Sequence, residues 1–293
     1  MLFPVSGVEV PLWLPPLVAF AISFFTSMVG ISGAFLLMPF QLSVLGYAGP
    51  SASATNLVYN LYATPGGVWR YARDQRMAWP LAGLIVLGTL PGVVAGFYVR
   101  TLYLPDAARF RLFAGAVLVL LAWRLLLALA PAPARPAERQ PFRGLPIRLA
   151  RADWRRMEFD HGNVVHGFSV PAMLVLAFGV GIVGGAYGVG GGAFIAPLCI
   201  AVFRLPVVMV AGAALAATFA TSLIGVAVYS LLPLPGGGHA APDWALGSLF
   251  GLGGLAGMYL GAAMQKHVPQ RALQAGLAML LAGLGVAYLW PAG

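Results

Sequence analysis
The sequence predicts an all-α polytopic membrane protein built from two homologous halves, and three observations carry that expectation. Of the 293 residues, 60% are hydrophobic and only 9% are charged, with a mean hydropathy of +0.87. Soluble domains carry about 25% charged residues. The apolar residues fall into blocks, most of them near the ~20 residues that a helix needs to cross a bilayer. Finally, the glycine-rich stretch from Gly184 to Pro197 has a weaker copy near the N-terminus. Gly30-Ile31-Ser32-Gly33-Ala34-Phe35-Leu36-Leu37-Met38-Pro39-Phe40 aligns on Gly188-Val189-Gly190-Gly191-Gly192-Ala193-Phe194-Ile195-Ala196-Pro197-Leu198. Such internal similarity marks a duplication.

The elements follow in order. The first apolar block, Leu12 to Gly46, is too long for one crossing and contains the Gly30 to Gly33 interruption. Blocks at Pro50 to Trp69, Trp79 to Val99 and Ala107 to Leu129 complete the first half, residues 1–130. Residues 131–166 are polar and basic, and read as a cytoplasmic linker. The second half, residues 167–293, repeats the series as Phe168 to Phe203, Pro206 to Leu232, Trp244 to Met264 and Ala272 to Trp290. Each half is therefore expected to hold a glycine-broken helical hairpin plus three transmembrane helices, eight to ten membrane segments in all. Two further matches support the repeat: Ala54-Thr55-Asn56 with Ala220-Thr221-Ser222, and Gly92-xxx-Gly96 with Gly253-xxx-Gly257. The latter pairs read first as seams for close helix packing.

Charge sets the orientation. None of the 17 basic residues lies in the first 69 positions, and seven arginines fall between Arg135 and Arg156. This distribution is that of membrane topology rather than of a nucleic-acid footprint, and the arginine-rich linker belongs in the cytoplasm. If each overlong block enters and returns, Arg70, Arg73, Arg76, Arg204, Lys266 and Arg271 join it there. Both termini, the Pro233 to Ala241 loop and the loop with Arg100, Arg109 and Arg111 then lie outside. The two halves acquire opposite orientations, an inverted repeat.

No Asp, Glu, Lys or His falls near the middle of a predicted span. His161, His166, His239 and His267 lack metal-ligand spacing and read as interfacial residues, so no catalytic residue, metal or cofactor is expected. The single cysteine, Cys199, excludes an internal disulfide. What remains for chemistry is backbone. Glycine costs about 1 kcal/mol relative to alanine inside a helix, so Gly188, Gly190, Gly191 and Gly192 argue for an unwound segment. A short helix beginning near Ala193 would aim unpaired N–H groups and a positive dipole end into the protein, and such an end binds anions. Ser32, Gly33 and Ala34 form the matching end in the first half. Thr55, Asn56, Thr218, Thr221 and Ser222 are candidate neutral donors. The competing reading is structural: the glycines permit tight crossing, and the hydroxyls bond their own i−4 carbonyls.

The motif Gly188-Val189-Gly190-Gly191-Gly192-Ala193-Phe194-Ile195-Ala196-Pro197-Leu198, followed by Ala220-Thr221-Ser222 and with its degenerate first-half copy, resembles the TauE/SafE sulfite exporter family. The resemblance covers nearly the whole chain. It implies a secondary transporter in the bacterial inner membrane for a small sulfur oxyanion or sulfonate. The lipid bilayer and a second copy of the chain, in a homodimer, are the expected partners. A passive anion channel and a membrane enzyme acting on a lipid or sulfur substrate are the alternatives. No P-loop motif is present, so ATP is not expected to drive it directly.

Overall fold
The fold is seen in a computed structural model, which describes residues 1–29, 31–75, 77–129, 147–161, 164–264 and 268–290. Gly30, Arg76, most of the linker, Lys266 and His267 lie outside the described residues. The first half contains α1 (Leu14–Val29), α2 (Ala34–Ser43), α3 (Pro50–Ala63), α4 (Pro65–Arg73), α5 (Trp79–Tyr98) with a π-turn at Val99–Tyr103, and α6 (Ala107–Leu129). The second contains α7 (Val170–Tyr187), α8 (Gly192–Phe203), α9 (Val207–Leu231), α10 (Trp244–Met264) and α11 (Gln270–Leu289). Among the described residues, six helical stretches are long and apolar enough to span a bilayer, and α1, α2 and α8 are shorter apolar helices.

The bundle has two distinguishable ends. At one, Ser6 donates through its N–H and its hydroxyl to Asp243 Oδ2, at 3.0 and 2.9 Å. Asp243 also donates its N–H to Thr55 Oγ1, at 2.9 Å. The N-terminal hairpin, the start of α3 and the start of α10 therefore meet at this loop end. A sheet lies at the other end. Helix α1 begins at the loop end, and α2 returns to it: Ser43 in the last turn of α2 bonds Tyr288 in the last turn of α11, at 2.5 Å. Helix α7 begins at the sheet, and α8 returns to it, with the Phe203 ring 5.8 Å from that of Phe168. Each glycine-broken segment thus enters the bundle and comes back to the end from which it started.

Close packing links the halves crosswise. Helix α5 packs along α7, and α1 along α10, while α3 meets α9 and α6 meets α11. The expected seams lie here: a Cβ on Gly92 would overlap the Phe178 carbonyl of α7, and one on Gly253 or Gly257 the Pro16 or Phe20 carbonyl of α1. Small residues at this spacing let backbones approach where lipid supplies no hydrophobic drive between helices.

Two elements differ from the sequence expectation. The block from Pro50 to Trp69 divides after Ala63, because Pro65 has no N–H to continue the ladder and instead opens α4 at its first turn. Within the segment expected to be linker the structure adds a three-stranded antiparallel sheet of β1 (Arg148–Ala152), β2 (Arg156–His161) and β3 (Val164–Ser169), while the apolar blocks are helical as the all-α class expects. Met157 and Phe159 alternate with charged residues in β2, a period of two that charge density masked. Strand β3 runs directly into α7, where the Ser169 hydroxyl caps the helix and the Val170 N–H donates to the Arg155 carbonyl, at 3.1 Å.

Candidate functional site
The second glycine break stops α7 at Tyr187. Gly188 and Gly190 take φ of +84° and +75°, the left-handed region where a side chain is strained. The Gly184 carbonyl gathers the N–H groups of Gly188, Val189 and Gly190 at 2.9, 3.0 and 3.3 Å. Helix α8 then starts at Gly192 without a side-chain cap from its N-cap residue, Gly191.

Each glycine meets a different neighbour. A Cβ on Gly188 would overlap the Ser53 backbone of α3, and one on Gly192 would overlap the Ala214 carbonyl of α9. One on Gly191 would stand 2.7 Å from the Thr89 methyl of α5, and one on Gly190 2.8 Å from Ser222 Oγ. Each of these glycines therefore packs closely against a neighbouring helix. Ala193 follows in the first turn of α8, half-buried.

The polar residues divide by their hydrogen bonds. Thr221 donates to the Ala217 carbonyl at 2.6 Å and accepts the Gly191 N–H at 3.1 Å, so its proton is spent and one α8 donor is filled. Thr218 bonds the Ala214 carbonyl at 2.9 Å. Thr55 bonds the Ser51 carbonyl, at 2.9 Å, as well as Tyr47 and Asp243 toward the loop end. Burial holds the Tyr47 phenol above its ordinary value, so it remains a donor. Ser222 differs: it is fully buried, lies beside Gly190, and its hydroxyl has no hydrogen-bond partner among the described residues.

In the first half, the Ser32 hydroxyl accepts the Ala34 N–H at 3.3 Å, and Gly33 adopts the same αR conformation as Gly191. Asn56 donates to the Ala34 carbonyl at 2.9 Å and accepts from Gln41 Nε2 at 3.3 Å. The helix starts of the two halves converge. The Tyr187 hydroxyl donates to the Phe35 carbonyl at 2.9 Å, and the Phe35 and Phe194 rings meet edge to face with centroids 4.7 Å apart.

Four residues outside the sequence-based set belong to this interior. Asn60 donates to the Val189 carbonyl at 2.9 Å, and among the described residues its buried Oδ1 has no hydrogen-bond partner, nor has the Oε1 of Gln41. Asp243 is buried and caps α10 by accepting the Leu246 N–H at 3.1 Å, a role that an acidic residue just before an apolar helix signals. Arg100, expected in an outside loop, is instead fully buried in the π-turn. A π-turn has no compositional signature, which is why the sequence did not reveal it.

Comparison with known proteins places the chain. The profile of the sulfite exporter TauE/SafE family matches residues 16–288. The chain belongs to this family. It is also 21% identical over 255 residues to a Bacillus subtilis (strain 168) protein described as "Probable membrane transporter protein YunE", covering 84% of this chain and 86% of that protein. No solved structure matches it. The TauE/SafE chain is thus a multi-pass membrane protein of a transporter family, and its six long apolar helices are candidate spans.

Proposed function
We propose that the protein is a secondary transporter that exports small sulfur-containing anions, such as sulfite or an organosulfonate, across the bacterial inner membrane by alternating access. Its two halves are inverted repeats, with the sheet end in the cytoplasm and the loop end outside. The observation that carries this reading is the convergence of the α2 and α8 starts through Tyr187, Phe35 and Phe194. Two helix N-termini directed at one interior point suit an anion, since their positive dipole ends favour negative charge. The crosswise pairing supports the repeat, because α5 on α7 becomes α10 on α1 when the halves are exchanged.

The anion would be held by Ser222, by the N–H groups of Gly192 and Ala193, and in the first half by the turn at Ser32, Gly33 and Ala34. Gly188, Gly190 and Gly191 shape that cradle, while Thr221, Thr55 and Asn56 hold its walls through the hydrogen bonds described above. The packed glycines suit an occluded conformation, from which separation of the α2 and α8 tips opens a path to one side. Sulfur specificity follows the family name alone.

Purified protein in liposomes tests the reading. Labelled sulfite or sulfoacetate is expected to enter with saturation and to be competed by the unlabelled anion. Flux that stays linear with concentration would replace the transporter by a channel, and chemical conversion of the substrate would replace it by an enzyme. Absence of flux for sulfite and for every sulfonate tried would overturn the substrate class. Cysteine at Gly236, where a side chain meets open space, should react only from outside.

A further inference from the structure
Among the described residues, Arg100 has no counter-charge. Its side chain is fully buried, and there its guanidinium donates to neutral oxygens: Ser53 Oγ at 3.3 Å, the Leu104 carbonyl, and the Ala48 carbonyl at 2.6 Å. The Phe110 ring lies beneath it, with the centroid 3.8 Å from Cζ. Two carboxylates of this end are used elsewhere. Asp106 pairs with Arg109 at 3.6 Å, and Asp243 serves Ser6 and the start of α10. Among the described residues no ion pair involves Arg100. A guanidinium offers five N–H donors, and these three bonds leave some of them free. Burying a cation without a counter-charge is unfavourable, and an arginine within a membrane protein marks an ion pathway more often than a scaffold.

Arg100 lies between residues that line a surface cleft and residues that touch the glycine break. Thr101, Leu102 and Pro105, just beyond Arg100, line a cleft of about 490 Å³ with Pro50 and the Leu234–Gly237 loop. Inward, Ser53 relays from Arg100 to the Ala186 carbonyl at 2.9 Å, one residue before Tyr187 ends α7, and Gly188 packs on the Ser53 backbone. Phe110, under the guanidinium, is also 6.3 Å from the Tyr187 ring.

We propose that Arg100 is the fixed positive charge of an oxyanion subsite between the outer cleft and the second glycine break, where a sulfite or sulfonate headgroup is bound as it passes the loop end. The free N–H donors and the planar fork of the guanidinium match the paired oxygens of such a headgroup. The second half has no equivalent charge, since Gly261 occupies the corresponding place four residues after Gly257. The subsite is therefore confined to one end of the path. It deepens the transporter reading and rests on it for the direction of passage, but binding itself is testable separately.

Calorimetry on the purified full chain with sulfite and with methanesulfonate should show Arg100→Gln weakening both by at least a hundredfold, and Arg100→Lys by roughly tenfold because the charge remains while the fork is lost. Wild-type affinity in Arg100→Gln would overturn the proposal. A second measurement keeps Arg100 intact and so does not depend on the fold of that variant. With cysteine at Gly236, an anionic thiol reagent should react faster than a cationic one of the same size, and sulfite should slow it. Equal rates, with no protection by sulfite, would overturn the subsite. If wild-type protein binds sulfite through Arg100 but liposomes show no flux, the subsite stands and the transporter reading falls. If flux is saturable and unchanged in Arg100→Gln, the transporter reading stands and the subsite falls.

Discussion

The two glycine breaks stop a helix by the same backbone bond but pack in different ways. Ile31 donates to the Thr26 carbonyl and Val189 to the Gly184 carbonyl, both at 3.0 Å and both spanning five residues. Beyond that bond they diverge. The second break uses positive φ at Gly188 and Gly190, whereas no residue described between 29 and 35 does so, and Ser32 stands where Gly190 would. Ala34 carries a Cβ where Gly192 has room for none. One shared bond therefore suffices to end the helix, and the additional glycines answer to the neighbours α3, α5 and α9. The cradle of the second half is a crowded intersection, while that of the first half is held by side chains, through Asn56 and Gln41.

That contrast can be broken by substitution. The largest effect is expected for Gly192→Ala, whose Cβ meets the Ala214 carbonyl: a loss of about 3 kcal/mol or failure to fold, against about 1 kcal/mol for Ala34→Gly. Thermal unfolding in detergent compares them, and equal losses would erase the distinction. Thr221→Val should cost about 1–3 kcal/mol by leaving the Gly191 N–H without its acceptor. Thr55→Val should cost a similar amount, because the Asp243 N–H loses its acceptor. Gly190→Ala should cost about 1–2 kcal/mol through its left-handed backbone, and Ser32→Ala less than about 1 kcal/mol. The smallest change in stability belongs to Ser222→Ala, within about 0.5 kcal/mol because no protein partner is lost. Calorimetry should nonetheless find its sulfite affinity at least tenfold weaker, and unchanged affinity would remove Ser222 from the site. Leucine at Gly191 is a poorer test, because it would also press on Thr89 of α5.

Most of the helices were legible from the sequence, because an apolar block bounded by proline, glycine and charge depends only on the local chain. Trp79 and Trp244 open α5 and α10 where they were expected, and Leu129 closes α6. The Pro65 interruption was present in the sequence but lost within a block treated as continuous. Strand β2 was hidden in the same way, its alternation of Met157 and Phe159 overlaid by arginine and carboxylate. The glycine seams were legible as seams, although not which helix each one faced.

By itself, then, the sequence determined the membrane class, the two glycine breaks and the family resemblance, since composition and repetition are properties of the chain. Tertiary structure alone decided the polar interior. It committed Thr221 to Gly191 and Thr55 to Asp243, left Ser222 without a partner among the described residues, and turned Arg100 inward beside the cleft of the loop end. Hydrogen-bond satisfaction depends on what lies across from a side chain in space, and for Arg100 that is the Ala48 loop and Ser53, about 50 positions away along the chain.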